Sequence, residues 1–201
     1  MKIFLYAAVT IVGYLLGSLP VGYLVGKLWG VDVRQYGSGR TGGTNVMRAA
    51  GPWAAALTVV GDGLKGLLAV GIAALLVDTP AAKGLAGLAA LIGHNWSVFL
   101  GWRGGAGAIT NLGVIFGLCH PVVIGSAIIG LIALVASRMA SVATLTMAAA
   151  AFLYFAGLAI WGGVSWVYAV YGFLATAVIA IALLPNIRRI LSGTERRLEL
   201  G

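Results

Sequence analysis

Charged residues are scarce in this chain of 201 residues, at 9% of the total, and only five of them are acidic. Thirteen Lys and Arg residues give a formal net charge of +8. Because soluble proteins carry about 25% charged residues, this scarcity excludes a soluble domain. With 61% hydrophobic residues and a mean hydropathy of +1.03, the chain has the composition of an all-α integral membrane protein. We expect residues 1–201 to form one polytopic membrane domain.

Cysteine and histidine are almost missing as well. The single cysteine, Cys119, has no internal disulfide partner, and two histidines without ligand spacing predict no metal site. Known nucleic-acid-binding patterns are also missing, so the positive net charge does not indicate a nucleic-acid partner. In a membrane protein, Lys and Arg mark the cytoplasmic side and contact anionic headgroups, so we expect membrane lipids as partners.

Six apolar stretches are candidate membrane spans. They are residues 3–26, 53–77, 84–101, 109–136, 141–160 and 165–185. The positive-inside rule places the arginines of the first loop in the cytoplasm, but six crossings would then leave the arginine-rich tail outside. Splitting 109–136 near residues 119–121 into two short helices removes this conflict. We therefore predict seven transmembrane helices, with the N-terminus outside and the C-terminus cytoplasmic.

The segment 34–48, which reads RQYGSGRTGGTNVMR, joins two long uncharged stretches and contains three arginines and four glycines. Glycines let backbone N–H groups converge on phosphate oxygens, and arginine adds a planar fork of donors. Further polar clusters lie at 103–110, 138–141 and 185–197, and the predicted topology puts all of them at the cytoplasmic face. One such loop would be an ordinary turn with topogenic charge. Four together favour a shared anion site.

The same clusters carry a family resemblance. The stretches concerned are GSLPVG at 17–22, GSGRTGGTNVMR at 37–48, DGLKG at 62–66, GHNWSVFL at 93–100, GGAGAIT at 104–110 and NIRRILSGTER at 186–196. In order and spacing they resemble the PlsY family, which comprises membrane-integral glycerol-3-phosphate acyltransferases. The blocks at 37–48 and 186–196 are specific, whereas GSLP alone would be weak.

This resemblance implies transfer of a fatty acyl group from acyl phosphate to the 1-hydroxyl of sn-glycerol-3-phosphate. The products would be lysophosphatidic acid and phosphate, formed at the cytoplasmic membrane of a bacterium without a metal or organic cofactor. Because acyl phosphate is already activated, a protein nucleophile is unnecessary. By resemblance, Ser38 and Arg48 bind phosphate and Asn186 orients a substrate group. The other expected substrate-binding residues are Gly37, Gly39, Arg40, Thr44, Asn45, His94, Gly104, Gly105, Gly107, Ser141 and Glu195.

Three positions depart from the family pattern. Ala106 stands where a Lys or Arg is usual, Arg40 where Asn is usual, and Leu183 where His is frequent. We hypothesise that Arg40 replaces phosphate-binding charge lost at Ala106. The loss also leaves open a weak or inactive paralogue that only binds phospho-ligands or anionic lipids.

Buried charges support two further alternatives. Asp62 and Lys65 are the charges closest to mid-membrane, and they either form an i,i+3 pair or belong to a transporter of a phosphorylated solute. His94 is either a base or a structural histidine at a helix end.

Overall fold

The computed structural model describes residues 2–198, and in this range the protein is entirely helical, without a β-strand. Nine α-helices occur in these residues: α1 (Lys2–Ser18), α2 (Val21–Leu28), α3 (Gly43–Leu76), α4 (Pro80–Asn95), α5 (Ala108–Leu118), α6 (His120–Ser137), α7 (Ala140–Ile160), α8 (Trp166–Ala182) and α9 (Leu184–Leu191). Short 3₁₀ turns lie at Val33–Gln35 and Val98–Leu100.

The breaks between helices follow proline and the polar segments. The first apolar stretch is interrupted before Pro20, because proline disfavours the helical conformation of the residue before it. At this break the carbonyl of Leu19 accepts from the Val21 N–H and from Lys65 Nζ, both at 3.0 Å. The stretch 109–136 divides at Cys119, where the charge argument required a break. Helix α9 is bent by 68° from α8.

Two stretches differ from the expected boundaries. Helix α3 begins at Gly43, so the second half of segment 34–48 is helical and not loop. This gives a helical backbone to Thr44, Asn45 and Arg48. A kink at Gly51, which has a φ of 84°, lies close to the expected start of the second span at residue 53. At the other boundary, α4 ends at Asn95, and residues up to 101 form a turn instead of continuing the span 84–101.

Length and composition identify fewer membrane spans than the sequence predicts. Within residues 2–198, four helical segments are long and apolar enough: Lys2–Leu28, which combines α1 and α2, then α3, α6 and α7. Counting the bent pair α8 and α9 gives five. Helices α4 and α5, with 16 and 11 residues, are too short for this criterion.

Close glycine contacts hold the helices together. Helix α1 lies against α4 so tightly that side chains at Gly13 and Gly17 would overlap the α4 backbone. Helix α3 contacts α5 in the same way, through Gly66 and Gly113. Small residues at helix interfaces are typical of membrane proteins, where they let two backbones approach. The α3–α5 contact fixes the start of α5 beside α3.

The polar segments meet at one end of the helix bundle. The Thr41 N–H donates to Gly104 O at 3.4 Å, and the Leu198 N–H donates to Arg138 O at 2.7 Å. At the opposite end, the hydroxyls of Tyr6 and Thr79 are hydrogen bonded at 2.7 Å. The fold therefore brings together clusters that lie far apart in the sequence.

Candidate active site

A cavity of about 200 Å³ opens where the polar segments meet. Its walls combine arginines, small polar residues and helix ends. The lining residues are Ser38, Arg40, Gly42, Gly43, Thr44, Asn45, Arg48, Val59, Asp62, His94, Ala106, Gly107, Ala108, Ile109, Ala140, Ser141, Thr144, Leu183, Asn186, Arg189, Glu195 and Arg196.

Three helices begin at this cavity. The first turns of α3, α5 and α7 all contribute lining residues, with Gly42 and Gly107 as the N-caps of α3 and α5. Gly107 has a φ of 81°, a left-handed conformation that favours glycine. Helix N-termini have unpaired N–H groups and a positive dipole end, so each of them attracts an anion. Their convergence makes the cavity suitable for phosphate.

Asn45 organises the loop that forms one wall. Its side-chain oxygen accepts from the Ser38 N–H at 2.9 Å. Its amide nitrogen donates to the carbonyls of Val33 and Arg40, both at 2.8 Å. Both donors of the amide and one acceptor position of its oxygen are thus used by the backbone. Asn45 therefore shapes the loop around Ser38.

Of the three arginines in segment 34–48, two line the cavity and one does not. Arg34 lies 2.7 Å from the Asp32 carboxylate and stacks on the Tyr23 ring at 4.6 Å. Arg48 and Arg40 face the cavity. Within residues 2–198, no carboxylate lies within 4 Å of either guanidinium. Two cations without a carboxylate partner thus face a cavity that also contains helix N-termini.

Arg40 crosses the cavity to the end of α8. Its Nη2 donates to the Ala182 carbonyl at 2.6 Å, one of the carbonyls that a helix C-terminus leaves free. Its Nη1 is buried and, in the part of the chain described, has no hydrogen-bond partner. Burial lowers the pKa of the guanidinium, as does the nearby charge of Arg189, yet arginine stays protonated. One donor of Arg40 is therefore available to a ligand.

The carboxylate of Glu195 joins three segments. Its Oε1 accepts from Ser141 Oγ and from Asn186 Nδ2, both at 2.7 Å. Its Oε2 pairs with Arg189 Nε at 2.8 Å. Burial raises the pKa of this carboxyl, but the three hydrogen bonds and the Arg189 charge outweigh burial and hold the pKa below its usual range. Glu195 thereby ties the chain after α9 to α7 and α9.

Asn186 keeps an acceptor for a ligand. While its amide nitrogen donates to Glu195, its side-chain oxygen is buried and, among the described residues, has no donor. Buried polar atoms are normally paired, so this oxygen is a candidate acceptor for a substrate hydroxyl.

A buried charge cluster forms the inner wall. Lys65 Nζ lies 2.8 Å from Asp62 Oδ1, which confirms the i,i+3 pair. The same oxygen lies 3.6 Å from His94 Nδ1. The His94 carbonyl accepts from the Gly105 N–H at 3.0 Å, and a side chain at Gly105 would overlap the imidazole. This favours a positioning role for His94 in the turn at 104–107.

The structure gathers most of the expected site residues. Those that line the cavity are Ser38, Arg40, Thr44, Asn45, Arg48, His94, Gly107, Ser141, Asn186 and Glu195, whereas Gly37, Gly39, Gly104 and Gly105 are not among its lining residues. Thr144, Arg189 and Arg196 also line the cavity, although the sequence did not predict them as site residues. Arg189 and Arg196 belong to the block NIRRILSGTER, and their position close to Asn186 and Glu195 was a usable signal.

A second cavity, of about 240 Å³, lies between α5, α6 and α7. It is lined mainly by apolar side chains: Thr44, Ala108, Ile109, Leu112, Ala127, Gly130, Leu131, Leu134, Ala140, Ala143, Thr144 and Met147. Five of these residues also line the first cavity, namely Thr44, Ala108, Ile109, Ala140 and Thr144. The two cavities are therefore neighbours that share a wall, one cationic and one apolar. We call the second one the apolar groove.

Fold and site together define a multi-pass helical membrane protein with an arginine-lined cavity beside an apolar groove. Comparison with known proteins gives the family. The family model described as glycerol-3-phosphate acyltransferase matches residues 7–193. The protein is 41% identical over 187 residues to the glycerol-3-phosphate acyltransferase of Rubrobacter xylanophilus, covering 93% of this chain and 92% of that one. For the Symbiobacterium thermophilum enzyme, identity is 43% over 197 residues, covering 95% and 94%.

Comparison with solved structures indicates the same family. The protein is similar to a crystal structure of PlsY (YgiH), an integral membrane glycerol 3-phosphate acyltransferase, in its glycerol 3-phosphate form. The TM-score is 0.87 at 34% identity, covering 96% of this chain and 95% of that chain. A lysophosphatidic acid form of PlsY gives a TM-score of 0.86. The chain belongs to the glycerol-3-phosphate acyltransferase family, and the resemblance to PlsY found in its motifs is confirmed.

The Glu195 network predicts a pH-dependent stability. Because its folded pKa lies below the ordinary value of 4.5, the carboxylate stabilises the fold above that value, and the contribution is lost as pH falls through the folded pKa. We expect Glu195→Gln to lower the thermal midpoint at about pH 7 by on the order of 5 °C. The difference from the unmodified protein should shrink towards zero in acid. Thermal unfolding in detergent, measured across pH, checks this.

Asp78→Asn is the control for this experiment. Asp78 pairs with Lys83 at the other end of the bundle and is 76% exposed, so its loss should change the midpoint little. If the thermal midpoint of Glu195→Gln stays below that of the unmodified protein by the same amount from neutral to acid pH, a role for the ionised carboxylate is contradicted.

Proposed function

We propose that this protein transfers a fatty acyl group from acyl phosphate to the 1-hydroxyl of sn-glycerol-3-phosphate in bacterial phospholipid synthesis. The main support is the cationic cavity beside the apolar groove, in a chain of the glycerol-3-phosphate acyltransferase family. Both substrates carry phosphate and one carries a long apolar chain. The two neighbouring cavities offer a site for each part.

The phosphate groups occupy the cationic cavity. Arg48 and the free donor of Arg40 supply charge-assisted hydrogen bonds, and Ser38 adds a hydroxyl. The first turns of α3 and α5 add backbone N–H groups. Ser141 and Glu195 frame the wall opposite the loop.

The reaction needs no covalent enzyme intermediate. The 1-hydroxyl oxygen of glycerol 3-phosphate attacks the carbonyl carbon of acyl phosphate. The ester bond forms, the bond from that carbon to the phosphate oxygen breaks, and the hydroxyl proton passes to the departing phosphate. The free oxygen of Asn186 orients the hydroxyl group. Catalysis then rests on positioning and on the fixed positive charge around the phosphates.

The acyl chain lies in the apolar groove. The groove and the cationic cavity share five lining residues, which supports a position of the carbonyl carbon at the boundary between the two. Burial of the chain away from water supplies binding free energy of about 0.8 kcal/mol per methylene. The substrate can enter directly from the bilayer, because Leu131, which lines the groove, is exposed on the outer surface of α6.

The proposed arrangement in the cytoplasmic membrane has seven crossings, an outside N-terminus and a cytoplasmic C-terminus. The gathering of the arginine-bearing segments at one end of the bundle supports it, as does the break at Cys119. Helices α4 and α5 cross as short helices, which a locally thinned bilayer accommodates.

Cysteine labelling tests this topology. In a Cys119→Ser background, Asp78→Cys and Gly162→Cys should react with a membrane-impermeant maleimide from outside. Ser192→Cys should react only after the membrane is permeabilised. Six crossings would instead place positions 78 and 192 on the same side, which would contradict the proposal.

Arg48 provides the direct test of the phosphate site. Purified protein in lipid, given acyl phosphate and glycerol 3-phosphate, should release lysophosphatidate and phosphate. Arg48→Ala should lower kcat/KM by roughly 100-fold or more, because it removes a charged donor from the cavity. The matched control is Arg34→Ala, from the same loop, which should retain activity because Arg34 pairs with Asp32 outside the cavity. Ligand binding without turnover in the unmodified protein would favour the binding-only paralogue, and solute flux into sealed vesicles would favour a transporter.

Arg40 tests the compensation for the missing cation. Both Arg40 and Ala106 line the cationic cavity, so a charge at either position can reach the same ligand. Arg40→Asn should raise the KM for a phosphate substrate and lower kcat/KM by roughly 100-fold, and adding Ala106→Lys should recover about tenfold of it. Steady-state kinetics on the single and double variants measure both effects. Unchanged turnover and affinity in Arg40→Asn would rule out the compensation.

A further inference from the structure

The apolar groove has two regular walls. On α7 the lining residues are Ala140, Ala143, Thr144 and Met147, and on α6 they are Ala127, Gly130, Leu131 and Leu134. Both sets follow the three- and four-residue spacing of one helix face. Ala140 and Thr144 belong to the cationic cavity as well, so the groove begins there. From Ala140 to Met147 it extends along α7 by roughly 10 Å.

Met147 lies at the far end of the groove. It is 7% exposed and packs on Gly130, where an added Cβ would come within 2.9 Å of the Met147 Cβ. This contact brings α6 and α7 together beyond the open part of the groove. Past it, Ala148 and Ala151 belong to a closed hydrophobic core with Val114 of α5.

The side chain of Met147, more than the backbone, limits the length of the groove. The next α7 residues on this side, Ala150 and Ala151, carry only methyl groups. Ala127, the last lining residue of α6, is equally small. An unbranched thioether fills an irregular gap among such residues well. Removing it therefore opens space in line with the groove.

We infer that Met147 determines the acyl-chain length that the protein prefers, by closing the far end of the apolar groove. The inference rests on the proposed function, because it takes the acyl chain of acyl phosphate as the occupant. An acyl chain that reaches Met147 buries more apolar surface with each methylene. A longer acyl chain must bend out into lipid or displace the Met147 side chain.

The test is the chain-length profile of kcat/KM. Saturated acyl phosphates of increasing length are compared for the unmodified protein, Met147→Ala and Met147→Phe. Met147→Ala should move the optimum to longer chains and Met147→Phe to shorter ones. Each methylene that gains or loses burial should change the ratio of the kcat/KM values for two neighbouring chain lengths about fourfold to tenfold.

A second substitution, on the opposite wall of the groove, keeps the test informative if the Met147 variants misfold. Ala127→Leu fills the same end of the groove from α6 without removing a core side chain, and it should also favour shorter chains. The matched control is Ile128→Leu, since the neighbouring Ile128 is 53% exposed on the outer surface of α6 and should keep the original profile.

The outcomes are distinguishable. Opposite shifts in Met147→Ala and Met147→Phe, with the Ala127→Leu shift to shorter chains, support the inference. Equal loss of kcat/KM at every chain length in these variants means that Met147 only packs the helices, which overturns it. If the unmodified protein makes no lysophosphatidate from any acyl phosphate, the proposed function itself is wrong, and this inference with it.

Discussion

Inside a bilayer, water is not available to a backbone group that leaves its helix, so every such group needs a protein partner. Two breaks show how this is met. The carbonyl of Leu19 accepts from Lys65, and the carbonyl of Ala182 accepts from Arg40. Lys65 also pairs with Asp62, at 2.8 Å. The side chains that satisfy the breaks also build the site, since Arg40 and Asp62 both line the cationic cavity.

The same constraint explains how a small membrane protein creates a cavity suited to an anion. Helices that begin at the same face of the bundle present their unpaired N–H groups there, and the N-termini of three helices face one cavity. Glu195 then fixes the opposite wall by accepting from Ser141, Asn186 and Arg189. Its negative charge is balanced by Arg189, which leaves the other cavity arginines for a ligand.

The departures from the family pattern gain a physical meaning from this geometry. Ala106, Leu183 and Arg40 are far apart in sequence, but all three line one cavity. The Arg40 side chain crosses the cavity that Ala106 and Leu183 also line and reaches the Ala182 carbonyl. Arg40 therefore brings positive charge from segment 34–48 into this cavity. Leu183 is only 2% exposed, and an apolar side chain suits such a buried position.

The sequence by itself determined the membrane class, the family and the break at residue 119, because hydropathy, charge and motif order are local properties of the chain. It also selected Ser38, Arg48 and Asn186, through motifs. Tertiary structure decided what no local pattern contains. It showed that Asn45 bonds its own loop, that Arg189 pairs with Glu195, and that Arg40 reaches across to Ala182. It also formed the apolar groove from three helices. The physical reason is that hydrogen bonds and cavities between distant segments depend on how the helices pack.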